Sequence, residues 1–480
     1  MDLFNIAAWK LVVCACCLLA LGSLVAAPAS AITLGVSADG RFFTVNGKSV
    51  YLNGISYYSG TSVDDPKDLK LDLDDMVKNR FNWIRVWTFW GADIAVTDPN
   101  GQVREPGMSR LKTIITECNK RRMIVDVTMS HGNHPAPSNQ AEHLACARTL
   151  AAELKPYRNV YIDVGNERDV GDARYVSLED VGELITAIKA IDPQRICTAS
   201  SCPGSEDGMK QHLEVGKLDF IAPHLCRDDG CSAKTIGTVK ELAGWMKALG
   251  RRVPIHLQEP FRRGYTDYQP TVEDFYRDDS GARIAEAAGW CLHNGSSRRG
   301  SGEQQRSRSF GMGKEHGRLY AQLDEVELEV CKNIDDQIGG TNLNTRRYQA
   351  EYEEQVQHKT GRKDGLAWSA DVKLDQAGCI AVVPWQGVVP PGRHRATWKL
   401  MIDDVTSANE PVVVLDVFAG SRQLAQKILQ RKDFTRPNEW RNFSLRFTGS
   451  GQSDLQLRAG WLGNSGLKVD HITLTIGRGP

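Results

Sequence analysis

Neither sign of charge predominates in this 480-residue chain, where 59 basic residues balance 59 acidic ones. That balance removes the general pull toward nucleic acid or an anionic membrane surface that a strongly basic chain would exert. Past the first thirty residues no second long hydrophobic run follows, so a multiply spanning membrane protein is excluded. No glycine-rich phosphate fingerprint follows the first strand-like segment, which argues against a nucleotide-binding sheet. Cysteine is poorly arranged for metal: neither Cys197/Cys202 nor Cys226/Cys231 has a histidine at finger-like spacing. His131 and His134 stand three apart, but no third ligand accompanies them. No metal and no cofactor are expected.

What is present begins with a leader. Lys10 precedes an apolar run from Leu11 to Ala26, and Ala29-Ser30-Ala31 is a small-x-small site. This reads as an export signal over residues 1–31, cleaved after Ala31. The mature chain is expected to be secreted or periplasmic, with no stable membrane insertion. Three of the twelve cysteines lie in the leader, so at least one of the other nine is unpaired. Cys197 with Cys202, and Cys226 with Cys231, are close enough to bridge short loops in an oxidising compartment.

The body of the chain alternates between two periods. Residues 41–52 read as a hairpin turning at Asn46-Gly47. Strand-like segments then follow at Tyr51–Ser56, Trp83–Trp87, Met123–Met129, Val160–Val164, Arg195–Ala199, Phe220–His224, Pro254–Gln258 and Ala287–Leu292. Between them, stretches such as Leu69–Arg80, Arg110–Arg121, Glu142–Leu154, Leu178–Ile191 and Val239–Leu249 carry apolar residues at three- and four-residue spacing. Eight such alternations predict an α/β fold, a parallel (β/α)8 (TIM) barrel over 32–338. A polar, solvated loop is expected at 296–309 and an eighth helix at Arg318–Ile338. Residues 339–362 read as a linker. From 363 to 480 strands succeed one another without helices, which predicts an appended β-sandwich.

Two carboxylates stand where a barrel does its chemistry, at the carboxyl ends of strands. Tyr161-Ile162-Asp163-Val164 leads into Gly165-Asn166-Glu167, and Ile255-His256-Leu257 leads into Gln258-Glu259. A pair of glutamates at the same barrel end is equipment for cleaving a glycosidic bond. The competing reading is a pair of surface carboxylates neutralised by Arg168 and Arg262.

The pattern resembles the clan A glycoside hydrolases, barrel enzymes that retain anomeric configuration, over about residues 41–338. The resemblance implies Glu167 as acid/base and Glu259 as nucleophile. It extends to Arg85 in Trp-Ile-Arg-Val-Trp, His131 in Met-Ser-His-Gly, His224 in Ala-Pro-His and Trp290 in Gly-Trp-Cys. It departs in two places: His131 lies farther past its strand than the usual family histidine, and no aromatic follows His224.

The chemistry assigns expectations to each residue. Glu167 must hold a proton for the leaving oxygen, so its pKa is expected to be raised by burial and by Glu259. Arg85 is expected to keep Glu259 ionised through charge-assisted hydrogen bonds, or else to be a structural ion pair. Asn166 offers an amide to a sugar hydroxyl. Trp290 reads as a stacking floor for the sugar, or as a barrel-core aromatic, and Trp87 and Trp90 as cleft walls or packing. His224 reads as a hydrogen-bond donor to a carboxylate or as a satisfied structural histidine, and His131 as a substrate contact. Asp126 reads as structural.

Together these predict a retaining hydrolase of β-linked oligo- or polysaccharides working through a glycosyl-enzyme intermediate. The alternatives are a transglycosylase or an inactive carbohydrate-binding barrel. A carbohydrate is the expected partner and nucleic acid is not. The sandwich is similar to the jelly-roll modules appended to glycosidases. In it Trp398 and Trp461 share faces with leucines and point inward, whereas Trp440 shares a face with Asn442, Ser444 and Arg446. Trp440, with Trp385 in a loop, is the better platform for sugar.

Overall fold

The computed structural model describes residues 31–132, 134–260, 268–294, 311–314, 316–385 and 387–477. The expected leader, except its last residue, and the expected loop at 296–309 lie outside these residues. Among the described residues no helix is long and apolar enough to cross a membrane.

A parallel sheet curls into the barrel. Strand one is Leu52–Ser56, two Trp83–Trp87, three Ile124–Thr128, four Val160–Asp163, five Cys197–Thr198, seven His256–Leu257 and eight Gly289–Leu292. Their hydrogen-bonded order is five-four-three-two-one-eight-seven. The remaining gap is filled by the segment around Ile221–His224. It pairs in parallel with the seventh strand at Ile221/Ile255 and His224/Glu259, and Ser201 N–H donates to the Ala222 carbonyl at 3.2 Å. The fold is therefore the (β/α)8 barrel that the alternating periods predict, with a sixth wall segment too irregular to be a continuous strand.

Period two sorts the strand residues into an inside and an outside. Ile84, Val86, Val125, Val127, Ile162, Leu257 and Leu292 face the helices and join the main core. Trp83, Ile124 and Tyr161 face inward and fill the lower barrel with Phe43 and Phe220. Phe43 comes from the N-terminal sheet Leu34–Val36, Phe43–Val45 and Lys48–Val50, which plugs the bottom of the barrel. Its second hairpin turns at Asn46 and Gly47, both with positive φ (52° and 74°), the backbone a tight two-residue turn requires. With the bottom sealed by aromatics, the inward polar residues higher on the strands gather at the opposite end.

Beyond the barrel two antiparallel sheets pack face to face. One runs in the order Arg362–Lys363, Trp368–Ala370, Leu467–Thr475, Gly392–Ile402, Arg441–Gly449. The other runs Gly378–Pro384, Leu455–Trp461, Pro411–Ala419, Arg422–Gln430. Trp398 and Trp461 are buried between them.

The expectation of a linker over 339–362 needs correction. Thr345–Gln349 is a strand paired to Leu467–Thr475, and Tyr348, Ala350, Tyr352 and Val356 are buried. The abundant charges of this stretch mask its apolar positions. Several of its polar groups are spent on the barrel helix Val272–Ile284: Arg277 pairs with Glu354 at 2.6 Å, and Gln355 Nε2 donates to Ser280 Oγ at 2.8 Å.

Candidate active site

The site is built around a buried guanidinium. Arg85 shares inward parity with Trp83 and Trp87 on strand two, so its side chain must lie inside the barrel. It is fully buried. Its Nη1 donates to Glu259 Oε1 at 2.6 Å, and its Nη2 to Asp163 Oδ2 and Asn166 Oδ1, each at 2.9 Å. Its Nε donates to Thr128 Oγ1 at 2.9 Å and lies 3.2 Å from Asp126 Oδ2. The guanidinium carbon sits 4.4 Å from the centre of the Trp87 ring. A buried charge is tolerable only when paired and hydrogen-bonded, and here every edge of the guanidinium is occupied.

Glu259 follows strand seven and is 4% exposed. Its second oxygen, Oε2, is met by Arg227 Nη2 at 2.7 Å, His293 Nε2 at 3.2 Å and His224 Nδ1 at 3.5 Å. Burial alone would raise its pKa, but His224, His293 and Arg85 outweigh burial and hold it well below the usual carboxylate range. Glu259 is an anion at neutral pH.

Glu167 lies in the tight turn after strand four with φ of +49°, a conformation that a non-glycine residue rarely adopts. Its N–H donates to Ser200 Oγ at 3.1 Å, which fixes the turn. His224 Nδ1 is 3.3 Å from its Oε1, Arg227 Nη2 is 3.9 Å away, and Arg174 pairs with its Oε2. Here the structure overturns an expectation. Burial and Glu259 do push the Glu167 pKa upward, but the His224 hydrogen bond and the charges of His224 and Arg227 prevail, bringing it down to about 2. In the free protein Glu167 is a carboxylate.

One carboxylate oxygen from each glutamate and one His224 nitrogen all lie within 4.8 Å of one another. A cation could span that donor set, but Arg85, Arg227 and Arg174 already supply the countercharge from fixed guanidinium groups. Two carboxylates this close, one buried and doubly clamped, the other nearer solvent, suit attack from one side of a bond and proton exchange at the other.

The remaining expected site residues divide. Arg85 and His224 meet the glutamates, and Asn166 accepts from Arg85. Trp87 is buried, stacked on Tyr58 at 5.0 Å, and so backs Arg85; the exposed aromatic of this cluster is Trp90, edge-on to Trp87 at 5.6 Å. His131 makes no hydrogen bond to Glu167 or Glu259 among its described contacts: its Nδ1 is 3.0 Å from the Ala173 carbonyl and its ring lies against His143, so it supports the loop that carries Arg174. Trp290 is not a sugar floor. It is fully buried, shares outward parity with Leu292, and donates its indole N–H to Asp278 at 2.6 Å.

Several residues of the site went unforeseen. His293 has the inward parity of Cys291 and lies just past strand eight, a signal the sequence does contain. Asp163 likewise shares parity with Tyr161. Arg227 is presented by a loop closed by the Cys226–Cys231 disulfide, the one expected bridge that forms; Cys197 and Cys202 are free. Arg174 comes from an irregular loop, and no local pattern announces it.

Comparison with known proteins accords with this geometry. Residues 43–219 match the family described as Cellulase (glycosyl hydrolase family 5). No curated protein matches the chain. Among solved structures, a glycoside hydrolase family 5 protein from Bacteroides vulgatus ATCC 8482 is similar at a TM-score of 0.50 and 13% identity, covering 93% of each chain. Another, described only as a glycoside hydrolase, has a TM-score of 0.50 and 14% identity, covering 93% of this chain and 98% of its own. A family 5 mannosidase from Rhizomucor miehei reaches 0.48 and 13%, covering 64% and 97%. At such identities the two likenesses at a TM-score of 0.50 show the fold alone. The family match, with the barrel beneath it, establishes the class: the chain is a glycoside hydrolase. More narrowly, residues 43–219 are similar to the cellulase-like enzymes of family 5.

Because Trp290 belongs to the wall, Trp290→Phe should leave Asp278 with one donor fewer and cost about 1–3 kcal/mol by urea unfolding. The KM of the folded variant for a small glycoside should stay within about twofold of wild type. A selective rise in KM without loss of stability would restore Trp290 to the substrate.

Proposed function

We propose that this chain hydrolyses β-linked oligo- or polysaccharides with retention, Glu259 acting as nucleophile and Glu167 as acid/base. The observation that carries the reading is the approach of the two carboxylates to within 4.8 Å. Retaining pairs stand about 5–5.5 Å apart, whereas inverting pairs leave about 6.5–9.5 Å for a water. An exported enzyme would meet such polymers outside the cell, as the leader suggests.

In the first step a Glu259 oxygen bonds the anomeric carbon while the glycosidic carbon–oxygen bond breaks, and Glu167 gives its proton to the departing oxygen. Oε1 is anchored by Arg85, so Oε2, facing Arg227 and the histidines, is the attacking oxygen. In the second step Glu167 removes a proton from water, whose oxygen displaces Glu259 from the sugar. Once Glu259 is an ester its charge is gone, and Glu167 no longer faces a neighbouring anion.

The low pKa of Glu167 adds a requirement. Its carboxylate is held by Arg174 and His224 in the free protein, so an arriving sugar must displace Arg174 and dry the pair before Glu167 can carry a proton. Arg174→Ala removes one of these cations and should raise the Glu167 pKa. The alkaline limb of the kcat/KM profile, which reports the free enzyme, should then move to higher pH by about one unit. An unmoved or lowered limb would refute this account of Arg174.

The nucleophile has its own assay. Glu259→Ala should lose activity on an aryl β-glycoside by several orders of magnitude, and added azide should restore part of it as the inverted glycosyl azide. Proton NMR of the first wild-type product should show the substrate's anomeric configuration. An inverted first product would end the retaining mechanism.

A further inference from the structure

The outer face of the sandwich's larger sheet carries a charge arrangement that its own stability does not call for. Arg395, on Gly392–Ile402, is directly opposite Arg446, on Arg441–Gly449, and both are exposed. Like charges directly across a ladder repel. Among the described residues, neither guanidinium has an ion pair or a side-chain hydrogen bond. Charge on an edge strand can serve to deter edge-to-edge pairing, and Arg441–Gly449 is such an edge. That explanation covers Arg446 but not Arg395, whose strand is paired on both sides.

The rows beside this pair are those of a sugar-binding surface. One register step of two residues away, Thr397 and Ser444 share a hydroxyl–hydroxyl hydrogen bond of 2.8 Å. Two steps away Lys399 lies on the same face, its Nζ 5.6 Å from the ring centre of Trp440, which is 37% exposed. The Lys399 charge is matched by Asp470 at 2.6 Å, whereas the two arginines face each other without a carboxylate among their described contacts. Same-face residues along a strand repeat at about 7 Å, so the aromatic ring and the arginines are about 20 Å apart, too far for one small ligand and suited to an extended chain.

We propose that this face binds an acidic polysaccharide, with Trp440 stacking on a sugar ring and Arg395 and Arg446 clasping its carboxylate or sulfate groups. Flat polyanions include nucleic acids, but the hydroxyl row, the aromatic and the attached glycoside hydrolase barrel favour a sugar chain. Arg is suited to this role because its planar fork matches a carboxylate with two parallel hydrogen bonds. The inference stands apart from the roles given to Glu167 and Glu259, since none of its residues touches the barrel mouth.

The test is affinity electrophoresis of the whole protein through gels containing alginate, a sulfated galactan, neutral glucan or mannan, with double-stranded DNA as a competing polyanion. The wild type should be retarded by at least one of the acidic polysaccharides, and 0.5 M salt should abolish the retardation. Arg395→Gln/Arg446→Gln should weaken that binding at least tenfold, and Trp440→Ala at least threefold. The double variant should unfold at or above the wild-type temperature, relieved of the cross-strand repulsion, and both variants should cleave an aryl glycoside at the wild-type rate. Retardation by the neutral polymers equal to that by the acidic ones, DNA bound as tightly as alginate, undiminished binding by the double variant, or no retardation at all would each overturn the proposal.

Discussion

The active end of this barrel depends on one buried cation. Arg85 is surrounded by Asp126, Asp163 and Glu259, three carboxylates brought together by strands two, three, four and seven. Taking that many charges out of water costs several kcal/mol each unless the geometry repays it. The repayment takes two forms. Arg85 spends its donors on four different acceptors, and Asp126, whose pKa burial raises, takes up part of the excess negative charge as a proton. Tyr161, Gln258 and Thr128 then donate to Asp126 and keep it in place. Without the guanidinium the carboxylates would have no partner at the centre, and the end of strand seven would have no reason to hold Glu259 where it is.

From that fixed point the two glutamates diverge in character. Glu259 is locked by groups on the barrel wall. Glu167 is held from the loop side, by Arg174 of its own loop, which is a third exposed and also shared with Asp172. A partner that is a third exposed and shared between two carboxylates is the one a ligand can displace. The resting state is therefore an ionised pair held apart by cations, and on the proposed mechanism a proton reaches Glu167 only as the site is filled. Coupling protonation to occupancy in this way keeps a charged, water-filled mouth from holding a buried neutral acid before there is a bond to cleave.

This contrast also explains what the sequence disclosed. Arg85 and His224 were legible because a period of two puts them inside the barrel, and Glu167 and Glu259 because each lies just past a strand end. The same rule, applied to Gly289-Trp290-Cys291-Leu292, puts Trp290 with Leu292 against the helices and His293 with Cys291 at the mouth. Assigning Trp290 by likeness to a family motif overrode that parity. The pKa of Glu167 failed for a different reason. Burial and Glu259 act in the direction foreseen, but the hydrogen bond and charge of His224 prevail together with the charge of Arg227, which comes from an irregular loop whose side chains have no period to follow. The strand Thr345–Gln349 was hidden because its neighbours are charged, yet those charges find their partners on the barrel rather than in water.

That last point makes the sandwich more than an appendage. The helix Val272–Ile284 carries Asp278 and Asp279, both buried with raised pKa values (about 6 and about 8), and each is tied to the barrel, Asp278 to Trp290 and Asp279 to Tyr51. On its other side the same helix receives Glu354 and Gln355, and Arg283 donates to the carbonyls of Asn342 and Thr345. Removing residues 345–356 would expose a helix whose inner face holds two acidic groups whose ionisation burial disfavours. Water reaching them would favour ionisation against a dry wall, loosening the packing behind strand eight, from which His293 reaches Glu259. The sandwich thus supports Glu259 through one helix, and that duty falls on the Thr345–Gln349 side of its larger sheet. The Arg395–Arg446 side of that sheet takes no part in it and remains open to a ligand.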